Sequence, residues 1–219
     1  MAILAGIDEA GRGPVIGPMV IAICLIDEKD EFQLKSMGVK DSKLLTPRER
    51  EKLFLLIKSM SRNRIMILPP KKIDEAVNAK KFNLNWLEAT VSARLINVTK
   101  PDKVILDCPS NNIKAYTAYL SKLINPKLKD KIKIIAEHKA DLHYPIVSAA
   151  SILAKVTRDK EIQKLKDTYK IDFGSGYPSD PITADFVRKY WNVYPFFRKS
   201  WETWKAAAEA QEQKKLGEY

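Results

Sequence analysis

Asp8 and Glu9 stand side by side at the end of the apolar run 3–7, and Gly11, Arg12 and Gly13 follow almost at once. Two adjacent carboxylates attract cations, and an arginine set between glycines attracts anions. Metal-assisted cleavage of a phosphodiester requires both at one place. Further acids occupy comparable boundaries: Asp107 closes the apolar run Val104-Ile105-Leu106, and Asp141 stands just before a long helical pattern. If neighbouring strands bring their ends together, these acids form one cluster drawn from distant parts of the chain. Close carboxylates repel, so such a cluster persists only where cations or protons neutralise it. Oxygen ligands without a cysteine or histidine set favour Mg²⁺ or Mn²⁺ over zinc. His138 and His143 flank Asp141 and read as solvated loop residues rather than ligands. Taken singly, Asp8, Glu9 and Asp107 each read first as ordinary strand-end or turn residues. Alternation along a strand also sends Asp8 and Glu9 to opposite faces, so a shared site requires a backbone distortion of the kind that Gly11 and Gly13 permit.

The elements that must position these residues follow from periodicity. Residues 3–8 and 18–26 read as two strands joined by the glycine-rich stretch. Thr46-Pro47-Arg48-Glu49 combines a capping hydroxyl, a proline at the first helical position and a glutamate three residues after the cap, so a helix starts there, with Leu53, Leu56, Ile57 and Met60 as its apolar face. A third strand is expected over 64–68, an amphipathic helix over 85–98 and a fourth strand over 103–107. A helix over 113–124, a strand over 133–136 and a long helix over about 145–169 follow, and the remainder is mostly helical. This order predicts an α/β domain with a mixed sheet over 1–170, followed by a helical C-terminal region over 171–219.

Composition narrows the class. The 219 residues are 45% hydrophobic, enough to bury a sizeable core. Lys and Arg number 38 against 27 Asp and Glu, a formal net charge of +11, which points to a polyanionic partner, nucleic acid before an anionic membrane surface. Cys24 and Cys108 show no metal-type pairing and read as buried, reduced thiols. No basic segment precedes the N-terminal apolar stretch, and the run 19–26 is far shorter than a bilayer span, so a soluble, cytoplasmic protein is expected.

Several ordered blocks resemble one family. GIDEAGRGPVIGP at the start, Asp41-Ser42-Lys43, Leu106-Asp107, Lys139-Ala140-Asp141 and the long block 144–159, YPIVSAASILAKVTRD, are similar to type 2 ribonuclease H, ribonuclease HII, over about residues 3–194. The compact length and helical tail resemble the archaeal branch. The resemblance implies a ribonuclease H-like fold, with a central mixed sheet flanked by helices. It also implies endonucleolytic cleavage of the RNA strand in RNA/DNA hybrids and at single ribonucleotides embedded in duplex DNA, leaving 5′-phosphate and 3′-hydroxyl ends. Roles in primer removal and ribonucleotide excision repair go with that activity. By the match of motifs, Asp8, Glu9, Asp107 and Asp141 would bind two divalent ions, Mg²⁺ or Mn²⁺, about 4 Å apart.

The same resemblance assigns the contact with the ribose 2′-hydroxyl to Gly11, Arg12 and Gly13, where glycines let the main chain approach closely. It assigns Tyr177 to stacking on the following sugar and Lys43 to a backbone phosphate. Ser148, Ser151, Lys155 and Arg158 recur at helical spacing, which suits either a phosphate-holding stripe or hydroxyls that satisfy backbone groups. At the C-terminus, Gln213, Leu216 and Tyr219 resemble the short peptide by which replication and repair enzymes dock on a sliding clamp. The expected protein is thus a monomer acting on nucleic acid, with the clamp as partner and no membrane. Two rival classes differ at the acids and the ribose sensor. Another nuclease of this fold would cut all-DNA duplex, and a non-catalytic binder would be weakened by clustered carboxylates that hold no metal.

Overall fold

The computed structural model describes residues 2–39 and 45–216, apart from the side chains of 211 and 214–216. Five strands, β1 (Ile3–Ala10), β2 (Met19–Asp27), β3 (Arg62–Leu68), β4 (Lys103–Asp107) and β5 (Lys133–Glu137), form one sheet in the order β3-β2-β1-β4-β5. β1 pairs antiparallel with β2 and parallel with β4, and β4 pairs parallel with β5, so the sheet is mixed as expected. The helices are α1 (Glu31–Ser36), α2 (Pro47–Met60), α3 (Pro70–Val77), α4 (Leu84–Thr99), α5 (Ile113–Leu123), α6 (Pro126–Lys129), α7 (Ala140–His143), α8 (Pro145–Tyr169), α9 (Pro181–Tyr190) and α10 (Glu202–Leu216). α8 and β4 lie where periodicity places them, and α2 opens on the expected capping box: Thr46 Oγ1 accepts from the Glu49 N–H, and Glu49 Oε2 accepts from the Thr46 N–H at 2.7 Å.

Four short helices, α1, α3, α6 and α7, carry no signal of their own. Each is too short to show an apolar stripe over several turns. In α3 the Pro69-Pro70 pair reads as a break, whereas Pro70 occupies the first helical turn, where its missing N–H has no intrahelical partner to lose.

The chain divides into two compact units. The first, here the sheet unit, comprises the residues up to Ala10, Val20–Ile67 and Leu84–Thr157. Its core runs along β2, which is buried at every position from Met19 to Ile26 and therefore reads as a continuous apolar run rather than an alternating one. Cys24 sits there as a free thiol, its pKa pushed up to about 12 by burial, and Cys108 is likewise free and buried. Ile146, Val147, Ala149, Ala150, Leu153 and Ala154 of α8 belong to the same core. The absence of a side chain at Gly6 on β1 lets the first turn of α8 lie directly against the strand, with the small Ala149 and Ala150 following it. A Cβ at Gly6 would run into the backbone of Ile146 and Val147.

The second, here the aromatic unit, comprises Gly11–Met19, Leu68–Asn83 and the chain from Arg158. Val15 and Ile16 pack there with Phe173, Phe186, Phe196 and Phe197, and Tyr194 stacks on Phe196 with ring centroids 5.1 Å apart. Asp74 ties α3 into this unit by accepting from the Lys199 and Ser200 N–H groups at 3.0 and 2.9 Å. No described helix is long and apolar enough to cross a membrane.

The contact at Gly6 gives a first prediction. Gly6→Ala places a methyl against main chain that cannot rotate away, so the variant is expected to lose about 1–3 kcal/mol in chemical denaturation. A loss below about 0.5 kcal/mol, the ordinary range of surface substitutions, would show that α8 does not need this approach.

Candidate active site

In the sheet unit, Ile7 of β1 lies opposite Leu106 of the parallel strand β4. The next residue on each strand is an acid, so Asp8 and Asp107 emerge together at the C-terminal ends of two adjacent strands. Asp141 arrives by a separate route. Beyond β5 the chain turns through Lys139 in the left-handed conformation, φ 57°, ψ 35°, and Ala140 N–H then donates to Asp107 Oδ1 at 3.2 Å. The turn starts α7 and places Asp141 in its first turn. One carboxylate oxygen from each of Asp8, Asp107 and Asp141 lies within 4.8 Å of the others.

This arrangement is electrostatically costly. Asp8 is 5% exposed, and its pKa is pushed up from 3.8 to about 8, first by burial and then by the neighbouring charges of Asp107 and Asp141. A hydrogen bond from Ser151 and the Glu9 N–H, 2.7 Å from Asp8 Oδ1, act in the opposite direction. A buried, oxygen-only set of three converging acids is neutralised well by a hard divalent cation, so these residues fit Mg²⁺ or Mn²⁺. His138 Nδ1 lies 3.0 Å from the Cys108 carbonyl, and neither histidine belongs to the acid cluster.

Glu9 is placed differently. β1 stays regular through Ala10, with Glu9 opposite Ile21, so the distortion near the glycines comes after the acids and not between them. Its carboxylate lies outside the three-residue group, on the side where its charge raises the pKa of Cys108 and Tyr116. Ser148 is buried, and its hydroxyl donates to the carbonyls of Asp141 and Tyr144.

In the aromatic unit, the loop of Gly11, Arg12 and Gly13 runs from a buried Gly11 through a half-buried Arg12 to an exposed Gly13. Gly11 has φ +80°, and a Cβ there would meet Arg158 Cδ and Nε at 2.7 Å and the Pro18 carbonyl at 2.9 Å. Arg158 is itself buried. It donates to the Ser175 carbonyl at 3.0 Å, and its guanidinium lies 5.0 Å from the centre of the Tyr177 ring. Tyr177 also approaches Gly13, whose absent Cβ would lie 3.7 Å from the ring. The segment holding Tyr177 is tied down at both ends. Asp180 caps α9 and accepts from the Ser175 N–H at 2.6 Å, while Thr183 Oγ1 accepts from the Gly176 N–H and donates to the Phe173 carbonyl. What reads in sequence as a Gly/Pro/Ser loop is thus a fixed platform.

Arg198, which composition and spacing do not single out, is fully buried in this unit. It donates from Nε to the Gly17 carbonyl at 3.0 Å, from Nη1 to the Arg12 carbonyl at 2.9 Å and from Nη2 to the Gly11 carbonyl at 2.6 Å. The only sequence signal is an arginine inside an aromatic run, which a charge count assigns to the surface. Lys43 and Tyr219 lie outside the described residues, as does the Leu216 side chain. Gln213 is exposed on α10.

Comparison with known proteins gives the family of the chain. The sequence model of the family Ribonuclease HII matches residues 5–204. The ribonuclease HII of Pyrococcus horikoshii is 48% identical over 207 residues, covering 91% of this chain and 90% of that protein. The crystal structure of ribonuclease H2 from Pyrococcus horikoshii OT3 superposes with a TM-score of 0.85 at 43% identity, covering 95% of this chain and 98% of that one. The ribonuclease HII in the PCNA:RNase HII complex from Archaeoglobus fulgidus superposes with a TM-score of 0.81 at 37% identity, covering 91% and 94%.

The raised pKa of Asp8 sets a pH dependence. An acid that binds its proton more tightly when folded contributes stability below its unfolded value of 3.8, and that contribution is lost as pH rises to about 8. In EDTA, the melting temperature of Asp8→Asn should therefore gain on that of the unsubstituted protein between pH 5 and pH 8. Mn²⁺ or Mg²⁺ at pH 8 should raise the melting temperature of the unsubstituted protein more than that of the variant. A gap that is constant with pH would show that Asp8 titrates normally.

Proposed function

The chain belongs to the ribonuclease HII family, metal-dependent nucleases that act on the RNA strand of RNA/DNA hybrids, and on that premise we propose that its substrates include single ribonucleotides embedded in duplex DNA. The observation that carries the site assignment is the convergence of Asp8, Asp107 and Asp141 within 4.8 Å at the strand ends. With Glu9, which precedes the glycine loop by two residues, these acids would hold Mg²⁺ or Mn²⁺. Two ions held there would supply an activated water and charge neutralisation at the leaving 3′ oxygen, giving 5′-phosphate and 3′-hydroxyl ends.

The chain's own residues would do the rest. Asp8, whose burial favours its protonated form, would serve as a ligand once a cation offset the charges of Asp107 and Asp141. The main chain of Gly11, Arg12 and Gly13 would meet the 2′-hydroxyl, which donates as well as accepts and is the local mark of a ribonucleotide. The ring of Tyr177, held by Arg158, would stack on the next sugar. Lys43 and Ser148 would contact backbone phosphate, fixing register without reading sequence. Primer removal and ribonucleotide excision repair are the processes such an activity serves. The C-terminal residues Gln213, Leu216 and Tyr219 would dock the enzyme on a sliding clamp. Support for that partner comes from the Archaeoglobus fulgidus relative, whose structure is a complex with PCNA.

A DNA duplex carrying one ribonucleotide should be cut at that position with Mg²⁺ or Mn²⁺ and left whole in EDTA. Asp107→Asn should lower the rate by roughly 100-fold or more, the scale of losing a metal ligand or its support. Duplex affinity should stay within a few fold, because phosphate contacts lie elsewhere. Equal cutting of an all-DNA duplex would replace this reading with a nuclease that lacks a ribose sensor. For the tail, calorimetry with the clamp of the same organism should show binding by the full chain and at least about tenfold weaker binding by a chain ending at 212, a loss of one hydrophobic anchor or more. Equal affinity would remove the clamp assignment.

A further inference from the structure

We propose that Arg198, seconded by Trp201, is a positioning residue for ribose selection: it fixes the direction in which the loop of Gly11, Arg12 and Gly13 presents its main-chain donors. The proposal rests on the reading of that loop as the ribose contact. Three consecutive carbonyls of the loop are claimed from one side. Arg198 takes those of Gly11 and Arg12 at 2.6 and 2.9 Å, and Trp201 Nε1 takes that of Gly13 at 2.9 Å. The two side chains are also in contact, with the guanidinium 4.9 Å from the centre of the Trp201 ring.

No described peptide bond is cis. In a trans peptide, C=O and N–H point in opposite directions. A Gly11 carbonyl turned towards Arg198 therefore sends the Arg12 N–H away from it, and the Arg12 carbonyl does the same for the Gly13 N–H. The carbonyl held by Trp201 is followed by Pro14, which has no N–H. The loop thus presents two neighbouring donors on the side opposite Arg198, a pattern suited to a hydroxyl or phosphate oxygen. Glycine at 11 and 13 leaves both peptide planes free to rotate in the absence of such a hold. The hold must therefore come from elsewhere.

Arg198 is itself over-determined. Its own N–H donates to the Val15 carbonyl at 2.8 Å, the Gly17 N–H donates to the Phe196 carbonyl at 2.9 Å, and Ile16 and Phe197 form an isolated antiparallel bridge between them. This short ladder sets the guanidinium at a fixed height against the loop. A planar fork with five donors can then span three carbonyls at once, which an ammonium cannot do.

The test is an affinity ratio, because loss of fold alone would not change it selectively. In an Asp107→Asn background with EDTA, where the substrate stays whole, fluorescence anisotropy measures binding to a duplex with one ribonucleotide and to the same duplex in DNA. The parent should prefer the ribonucleotide by about tenfold, the worth of one or two hydrogen bonds. Arg198→Gln should bring the ratio near one while affinity for the DNA duplex holds. Arg198→Lys should restore part of the preference. If Arg198→Gln fails to fold, Arg198→Lys, which keeps the charge but not the planar fork, should still lower the ratio several-fold from that of the parent. A ratio kept by a folded Arg198→Gln, or by Arg198→Lys in that second case, would overturn the proposal. A parent without preference would instead overturn the reading of the loop itself, and the positioning role with it.

Discussion

The mutual repulsion of Asp8, Asp107 and Asp141 is the constraint from which much of the sheet unit follows. Three carboxylates with oxygens within 4.8 Å cannot all stay charged without a counter-ion, and the pKa of Asp8, raised to about 8 first by burial and then by the charges of Asp107 and Asp141, records that penalty. The fold must hold them together against it. Two come from parallel strands whose register is fixed by main-chain hydrogen bonds, which side-chain repulsion cannot shift without moving the sheet. The third comes on a short helix entered through a left-handed lysine, and the amide that opens this helix donates to Asp107. Ser148 then ties the Asp141 carbonyl to α8. A left-handed conformation at a non-glycine residue costs about 1 kcal/mol or more. Such a cost persists where the surroundings leave the chain no alternative, as beside a site whose acids must converge.

Packing against the strands serves the same end. α8 can approach β1 closely because Gly6 has no side chain and because its own inner face is rich in alanine and serine. That approach puts Ser151 within hydrogen-bonding reach of Asp8. A bulkier inner face would hold the helix away and remove a side-chain donor, Ser151, that favours the charged form of Asp8. The small residues of 148–154 thus act on the chemistry through distance, with no need to touch a substrate.

Much of this was legible in the sequence. Strand ends capped by acids, the Thr46 capping box and the long helix from Pro145 each follow from local rules, and the structure places them as those rules predict. The grouping of Asp8 with Asp107 and Asp141 is different, because convergence depends on β1 and β4 being neighbours, a non-local pairing that periodicity does not contain. Glu9 shows the limit most clearly. Adjacent acids look equivalent in sequence, but with regular pairing through Ala10 only Asp8 joins Asp107 and Asp141 in the three-acid cluster, and Glu9 is a ligand of the proposed site rather than a member of that cluster. Arg198 was invisible for a further reason. A buried arginine that spends its donors on main-chain carbonyls is indistinguishable in composition from a solvated one.

That ambiguity changes what the net charge of +11 means. The excess of basic residues points correctly to a polyanion, yet two of the arginines are interior and directed at the protein itself. Arg158 is committed to the Ser175 carbonyl and the Tyr177 ring, and Arg198 to the carbonyls of Gly11, Arg12 and Gly17. A guanidinium can do this because it stays charged when buried and its fork matches several acceptors at once, whereas a buried lysine would tend to lose its proton. Attraction for a phosphate backbone must then rest on the exposed lysines and arginines, which act additively and weaken with salt. On the proposed reading of the glycine loop, discrimination would rest on Arg198, whose buried hydrogen bonds are shielded from salt. Affinity and selectivity would then be carried by the same residue types in different places, and they should respond differently to ionic strength.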